Sequence, residues 1–143
     1  MKNLQQYIDS LASINLFDGH GVLSANCKLY ATKNEAEAAC LANGGAIDAT
    51  WRRAFDAAKA AAKANIPEYN RVWRETWHAA YDEISDQSSD AAYAAALLAV
   101  CLLVQDYIDE SILDYVRSRW AVFTAGCGAY GDSKGTLYCY RRP

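Results

Sequence analysis

At 143 residues, 52% hydrophobic and 22% charged, the chain carries about one domain's worth of material and enough apolar surface to bury a core. That balance excludes a disordered chain, and abundant alanine with only two prolines favours helices. A net charge of −3 argues against general nucleic-acid binding, which calls for net basicity.

The opening "MKNLQQYIDSLASINLF" repeats Leu4, Tyr7, Ile8 and Leu11 at helical spacing behind Asn3, predicting a helix from Asn3 to about Ile14. It has none of the unbroken apolar run of an export signal, so no export is expected. Glycine-punctuated "FDGHGVLSANCKLYAT" follows, with short strand-like runs at Gly21–Ser24 and Cys27–Ala31 that suit a hairpin. Thr32 and Glu35 have capping-box spacing, so a short helix is expected over 33–42, stopped by Gly44 and Gly45.

Residues 48–65 place Ile47, Trp51, Phe55, Ala58 and Ala62 on one stripe and Arg52, Asp56, Lys59 and Lys63 on the opposite side. Pro67 suits the first turn of the next helix. There Tyr69, Trp73, Trp77, Ala80 and Ile84 share an apolar face, with Arg71, Arg74 and His78 roughly opposite. "SDQSSD" breaks the pattern, and Ser89 or Asp90 is expected to cap a long helix with a bend or break near Asp109–Ser111. Its first half, "AAYAAALLAVCLLV", is apolar all round and too short to span a bilayer, so it reads as a core helix. The tail turns strand-like, with "GDSKG" between Cys127–Tyr130 and Thr136–Tyr140. An isolated hairpin is marginal, so it should pack on the helices or pair with "GVLSANCKLYA". The expected fold is mainly α: a single domain over 1–143, as a bundle of about five helices (core 46–120). Short β-hairpins are expected at 21–31 and 121–141, within β-leaning segments 17–31 and 121–141.

Five cysteines without close pairing read as reduced, mostly buried thiols. The chain has no phosphate loop, G-x-S-x-G elbow, H-E-x-x-H or dinucleotide glycine fingerprint. A Cys–His nucleophile pair, such as Cys27 or Cys127 with His20, makes a small hydrolase or transferase the alternative reading. Asp82/Asp86 and Asp106/Asp109/Glu110 read as a solvated acidic face rather than a general acid–base pair. His20, Cys27, Cys127 and Cys139 would converge if the two β segments met, but no C-x-x-C knuckle supports zinc, and neither metal nor cofactor is expected.

Charge is segregated. Residues 51–74 carry six Lys/Arg against two acids, whereas 82–114 carry eight acids and no Lys/Arg. The basic–aromatic set Arg52, Lys59, Lys63, Arg71, Arg74, His78 and Tyr81 is therefore the candidate ligand-binding surface. Guanidinium forks hold phosphates or carboxylates, and an aromatic edge stacks a base or anchors a partner. Tyr138, Tyr140, Arg141 and Arg142 in "YCYRRP" make a second candidate patch.

The alanine tract with spaced tryptophans, "TWRRAFDAAKAAAKA…VWRETWHAAYDE…AAYAAALLA", and the closing "RWAVFTAGCGAYGDSKGTLYCY" together resemble small accessory proteins carried by tailed phages. They also resemble the alanine- and tryptophan-rich helical immunity-protein type. The resemblance implies a small non-catalytic protein in the host cytoplasm that inhibits or sequesters. Its expected partner is a host or toxin protein or a phosphate-bearing small molecule, with no membrane involved. Exposed Tyr81, Tyr93 or Tyr107 would favour a homo-oligomer. A structural or assembly component is the third reading.

Overall fold

The computed structural model describes residues 27–86 and 88–142. The helix expected over 3–14, the run at 21–24 and His20 lie outside them. In chain order the elements are β1 (Cys27–Tyr30), α1 (Lys33–Ala42), α2 (Ala49–Asn65), α3 (Tyr69–Ile84) and α4 (Ser89–Leu103). A 3-10 turn (Gln105–Tyr107), α5 (Glu110–Thr124), β2 (Cys127–Ser133) and β3 (Thr136–Arg141) follow. The fold is mainly α with a small three-stranded sheet. No helix among the described residues is long and apolar enough to cross a membrane.

Local chemistry sets the helix ends. The Thr32 hydroxyl accepts from the Glu35 N–H at 3.2 Å, starting α1 as its spacing predicts. Asn43 and Gly44, the latter at φ 73°, close it. Helix α2 ends on Asn65, whose side chain donates to the Ala61 carbonyl at 2.9 Å. Pro67 lies in the turn before α3 rather than in its first turn. Glu68, left-handed at φ 50°, holds the N-cap position, and its carbonyl accepts from the Arg71 and Val72 N–H groups. Ser88, not Ser89 or Asp90, caps α4 by accepting from the Ala91 N–H at 3.1 Å.

The long helix beyond Ser89 is broken into two ahead of Glu110, next to the expected bend or break. The chain leaves α4 at Val104, passes through the 3-10 turn and restarts at Glu110. Asp109 causes the restart: its carboxylate accepts from the Ser111 N–H at 3.2 Å, and its carbonyl accepts from Ile112 and Leu113.

The described residues fall into two compact units, one over 53–117 and the other comprising 27–52 with 118–142. In the first, α3 and α4 pack along one another. The buried face of α3 is Val72, Trp73, Thr76, Ala80 and Ile84. Thr76 satisfies its hydroxyl by donating to the Val72 carbonyl at 2.7 Å, which lets a polar residue occupy that face. From Ala94 to Cys101 every residue of α4 is buried, as an all-apolar helix requires.

In the second unit the strand order is β1-β3-β2. The hairpin between β2 and β3 turns through Lys134 (φ 51°) and Gly135 (φ 83°), the paired positive φ that suits right-twisted strands. β1 pairs with β3 in parallel, Cys27 opposite Leu137 and Leu29 opposite Cys139. Helix α1 packs Ala36 and Cys40 on Tyr138, flanked by Tyr30, Tyr130 and Tyr140. The loop after α1 is fastened to β2. Ala46 and Asp132 exchange backbone hydrogen bonds, Thr50 donates to the Asp132 carboxylate at 2.6 Å, and Ser133 donates to the Asn43 carbonyl at 2.7 Å.

Candidate functional site

In the first unit a run of touching rings leads from the interior to the surface. Phe55 on α2 meets Trp73 edge-on at 5.5 Å between centroids and Trp77 edge-on at 5.7 Å. Trp77 contacts Tyr93 of α4 at 6.2 Å, and Tyr93 meets Tyr81 at 5.3 Å in a T-shaped pair. Exposure rises from Trp73, 8% exposed, through the half-buried Phe55 and Trp77 to Tyr93, 47% exposed, with Tyr81 half-buried beside it. The sequence explains why the rings gather there. Tyr93 is the one large side chain in "AAYAAA", and its small neighbours leave space over α4 that the rings of α3 fill.

Cations border this aromatic ledge. At about 3.6 residues per turn, Arg74 lies one turn before Trp77 and His78, and His78 lies one turn before Tyr81 and Asp82. Arg74 and His78 are exposed, and among the described residues neither has an ion pair or side-chain hydrogen bond. Lys59 holds its ammonium 5.9 Å from the Phe55 centroid, and Lys63 is exposed one turn further on. Arg71 is exposed and reaches Glu75 at 3.1 Å, a surface pair worth at most about 1 kcal/mol. Arg52 belongs to the other unit, where its guanidinium meets Asp48 at 2.9 Å.

Of the expected ligand-binding set, the first unit thus holds Lys59, Lys63, Arg71, Arg74, His78 and Tyr81. Phe55 and Trp77 count among the core in a periodicity reading, yet each stays partly accessible. An aromatic isolated in an alanine run is the signal that points to Tyr93.

The second candidate patch is divided. Tyr138 is a core residue stacked on Tyr30 at 6.2 Å, and Tyr140 lies half-buried over Gly128. Strand alternation places Arg141 on the opposite face of the sheet from both tyrosines. Arg142 is half-buried beyond the strand. These four residues do not form one surface, because a strand cannot present consecutive side chains to the same side.

The β segments do meet, which brings Cys27, Cys139 and Cys127 to one sheet face. Among the described residues, however, no three His, Cys, Asp or Glu side chains are arranged to hold a metal ion. All five cysteines are thiols rather than disulfides. Asp82, Asp86, Asp106, Asp109 and Glu110 are exposed to solvent. No family model, curated protein or solved structure matches the chain.

Proposed function

We propose that the chain is a non-enzymatic binding protein that inhibits by covering a partner protein, and that Arg74, Trp77, Tyr81 and Tyr93 form its contact surface. The observation behind this reading is an exposed Tyr93 braced by the rings of Trp77 and Tyr81, with Arg74 exposed one turn before Trp77 on α3. Tryptophan, tyrosine and arginine supply most interface energy, because rigid rings bury much area at little entropic cost and guanidinium forks grip carboxylates. With Lys59 over the Phe55 ring and Lys63 exposed one turn further on, the complementary partner surface is acidic. A stable complex of this kind buries roughly 800 Å² on each side. The likeness of the alanine–tryptophan tract to phage accessory and immunity-type proteins suggests a toxin or a host factor as the partner.

An exposed Arg74 on the helix that carries Trp77, without an ion pair among the described residues, also favours a second reading, in which a phosphate-bearing planar molecule stacks on Tyr93. Mass spectrometry of the purified, denatured protein separates the two readings: a released nucleotide supports the small molecule.

The protein-partner reading is tested by quantitative affinity purification from the cell of origin. The partner should be retained by the wild type and by Asp106→Asn, and lost with Arg74→Ala/Tyr93→Ala. Equal recovery with the double variant contradicts the proposal.

A further inference from the structure

We propose that Cys27 and Cys139 form a hydroperoxide-sensitive dithiol, in which the Cys27 sulfur attacks the peroxide and Cys139 closes a disulfide. The site lies in the second unit and does not depend on the ledge.

Its geometry follows from strand register. Leu29 opposite Cys139 and Cys27 opposite Leu137 place Cys27 and Cys139 on one face of the sheet, displaced diagonally by two positions. On the other side of β3, Cys127 opposite Arg141 and Ala129 opposite Cys139 put Cys127 on the same face. Cys139 is therefore flanked by a thiol on each neighbouring strand, and it hydrogen-bonds the Cys27 thiol. A diagonal pair on neighbouring strands is separated by more than the strand spacing and exceeds what a relaxed disulfide spans, so one backbone has to shift. Cys27 begins a four-residue strand that is the edge of the sheet among the described residues, where such a shift disturbs least.

Accessibility assigns the roles. Cys27 is half-buried and reachable by a small hydroperoxide, whereas Cys139 is 0% exposed. The hydrogen bond to Cys27 and, next, burial push the Cys139 thiol up, with the Arg119 guanidinium opposing them. Cys139 therefore keeps its proton at rest, and the more accessible Cys27 sulfur is the one that meets the peroxide. The Cys27 thiolate attacks the nearer oxygen of hydrogen peroxide, the O–O bond breaks, and the departing hydroxide takes up a proton as water. The Cys139 thiol then loses its proton and attacks the Cys27 sulfenic sulfur, displacing a second hydroxide that leaves as water. Two thiols lose two electrons and one peroxide becomes two waters.

Peptide mapping after stoichiometric hydrogen peroxide and alkylation tests this assignment in the full chain. A Cys27–Cys139 linked peptide is expected in the wild type and in Cys127→Ser, and its loss is expected in Cys27→Ser. In Cys139→Ser, whose fold is checked by circular dichroism, a dimedone adduct should accumulate on Cys27. The fully buried Cys101 serves as the unreactive reference. If Cys139→Ser does not fold, Cys27→Ser and the wild-type linkage decide alone. Oxidation of Cys27 no faster than Cys101, sulfenic acid persisting on wild-type Cys27, or a Cys27–Cys127 linkage would overturn the proposal.

Discussion

Trp77 and Tyr93, carried by two consecutive helices, hold their rings 6.2 Å apart with planes inclined at 58°, and only the tyrosine reaches well into solvent. The indole is thus a brace and the phenol a contact. Ring–ring pairing fixes Tyr93 before any partner arrives, which lowers the ordering cost of binding.

Arg74→Ala should change unfolding free energy by no more than about 0.5 kcal/mol, since the side chain is exposed and without an ion pair among the described residues. It should nevertheless weaken partner binding. Arg74→Lys should restore only part of the affinity if the fork geometry is used. Calorimetric titration with the partner and urea denaturation measure the two quantities separately.

The two indoles of α3 should behave differently. Trp73→Ala removes a buried ring and should cost about 3–5 kcal/mol. Trp77→Ala should cost less, because its ring is half-buried, yet it should impair binding by releasing Tyr93. Denaturant midpoints for both variants, with binding measured beside them, check the distinction.

Periodicity made much of this architecture legible. The Thr32 cap, the helix over 33–42, the helix expected over 48–65 and found at 49–65, the buried Trp73–Ala80–Ile84 face and the terminal hairpin all follow from spacing and turn residues. Where spacing failed, a particular contact decided. Ile47 was expected on a core stripe but is exposed, because α2 begins at Ala49 and Ile47 precedes it. Val72 and Thr76 take the buried positions expected of Tyr69 and Trp77, since the Thr76 hydroxyl is satisfied within its own helix. Pairing between the two β segments was foreseeable, but its parallel sense depends on contacts separated by most of the chain and leaves no local pattern.

Two glycines of the terminal hairpin should fail for different reasons. A Cβ at Gly131 would strike the Ala46 carbonyl and the Ile47 backbone, so Gly131→Ala should cost about 1–3 kcal/mol through displaced backbone. Gly135 has open space but φ of +83°, so Gly135→Ala should cost about 1 kcal/mol from conformation alone. Thermal unfolding of the two variants, with an amide-exchange comparison of residues 43–47, tells displacement from strain.

Cys101 gives the fold an alkaline signature. Burial pushes its thiol from 9.0 up to about 12. Below pH 9 both folded and unfolded chains keep this proton, so it contributes no pH dependence. Between these values the unfolded chain loses its proton first, and stability falls by at most about 1.4 kcal/mol per pH unit before levelling off. Urea titrations from pH 8 upward should show a shallower decline for Cys101→Ala than for the wild type.

The central claim is that the Tyr93 ledge meets a partner, and photo-crosslinking at that position tests it most directly. With benzoylphenylalanine in place of Tyr93, illumination in the cell of origin should yield one dominant adduct to another protein, abolished by Arg74→Ala and unaffected by Asp106→Asn. An adduct to a second copy of the chain, or one indifferent to Arg74, would contradict the account.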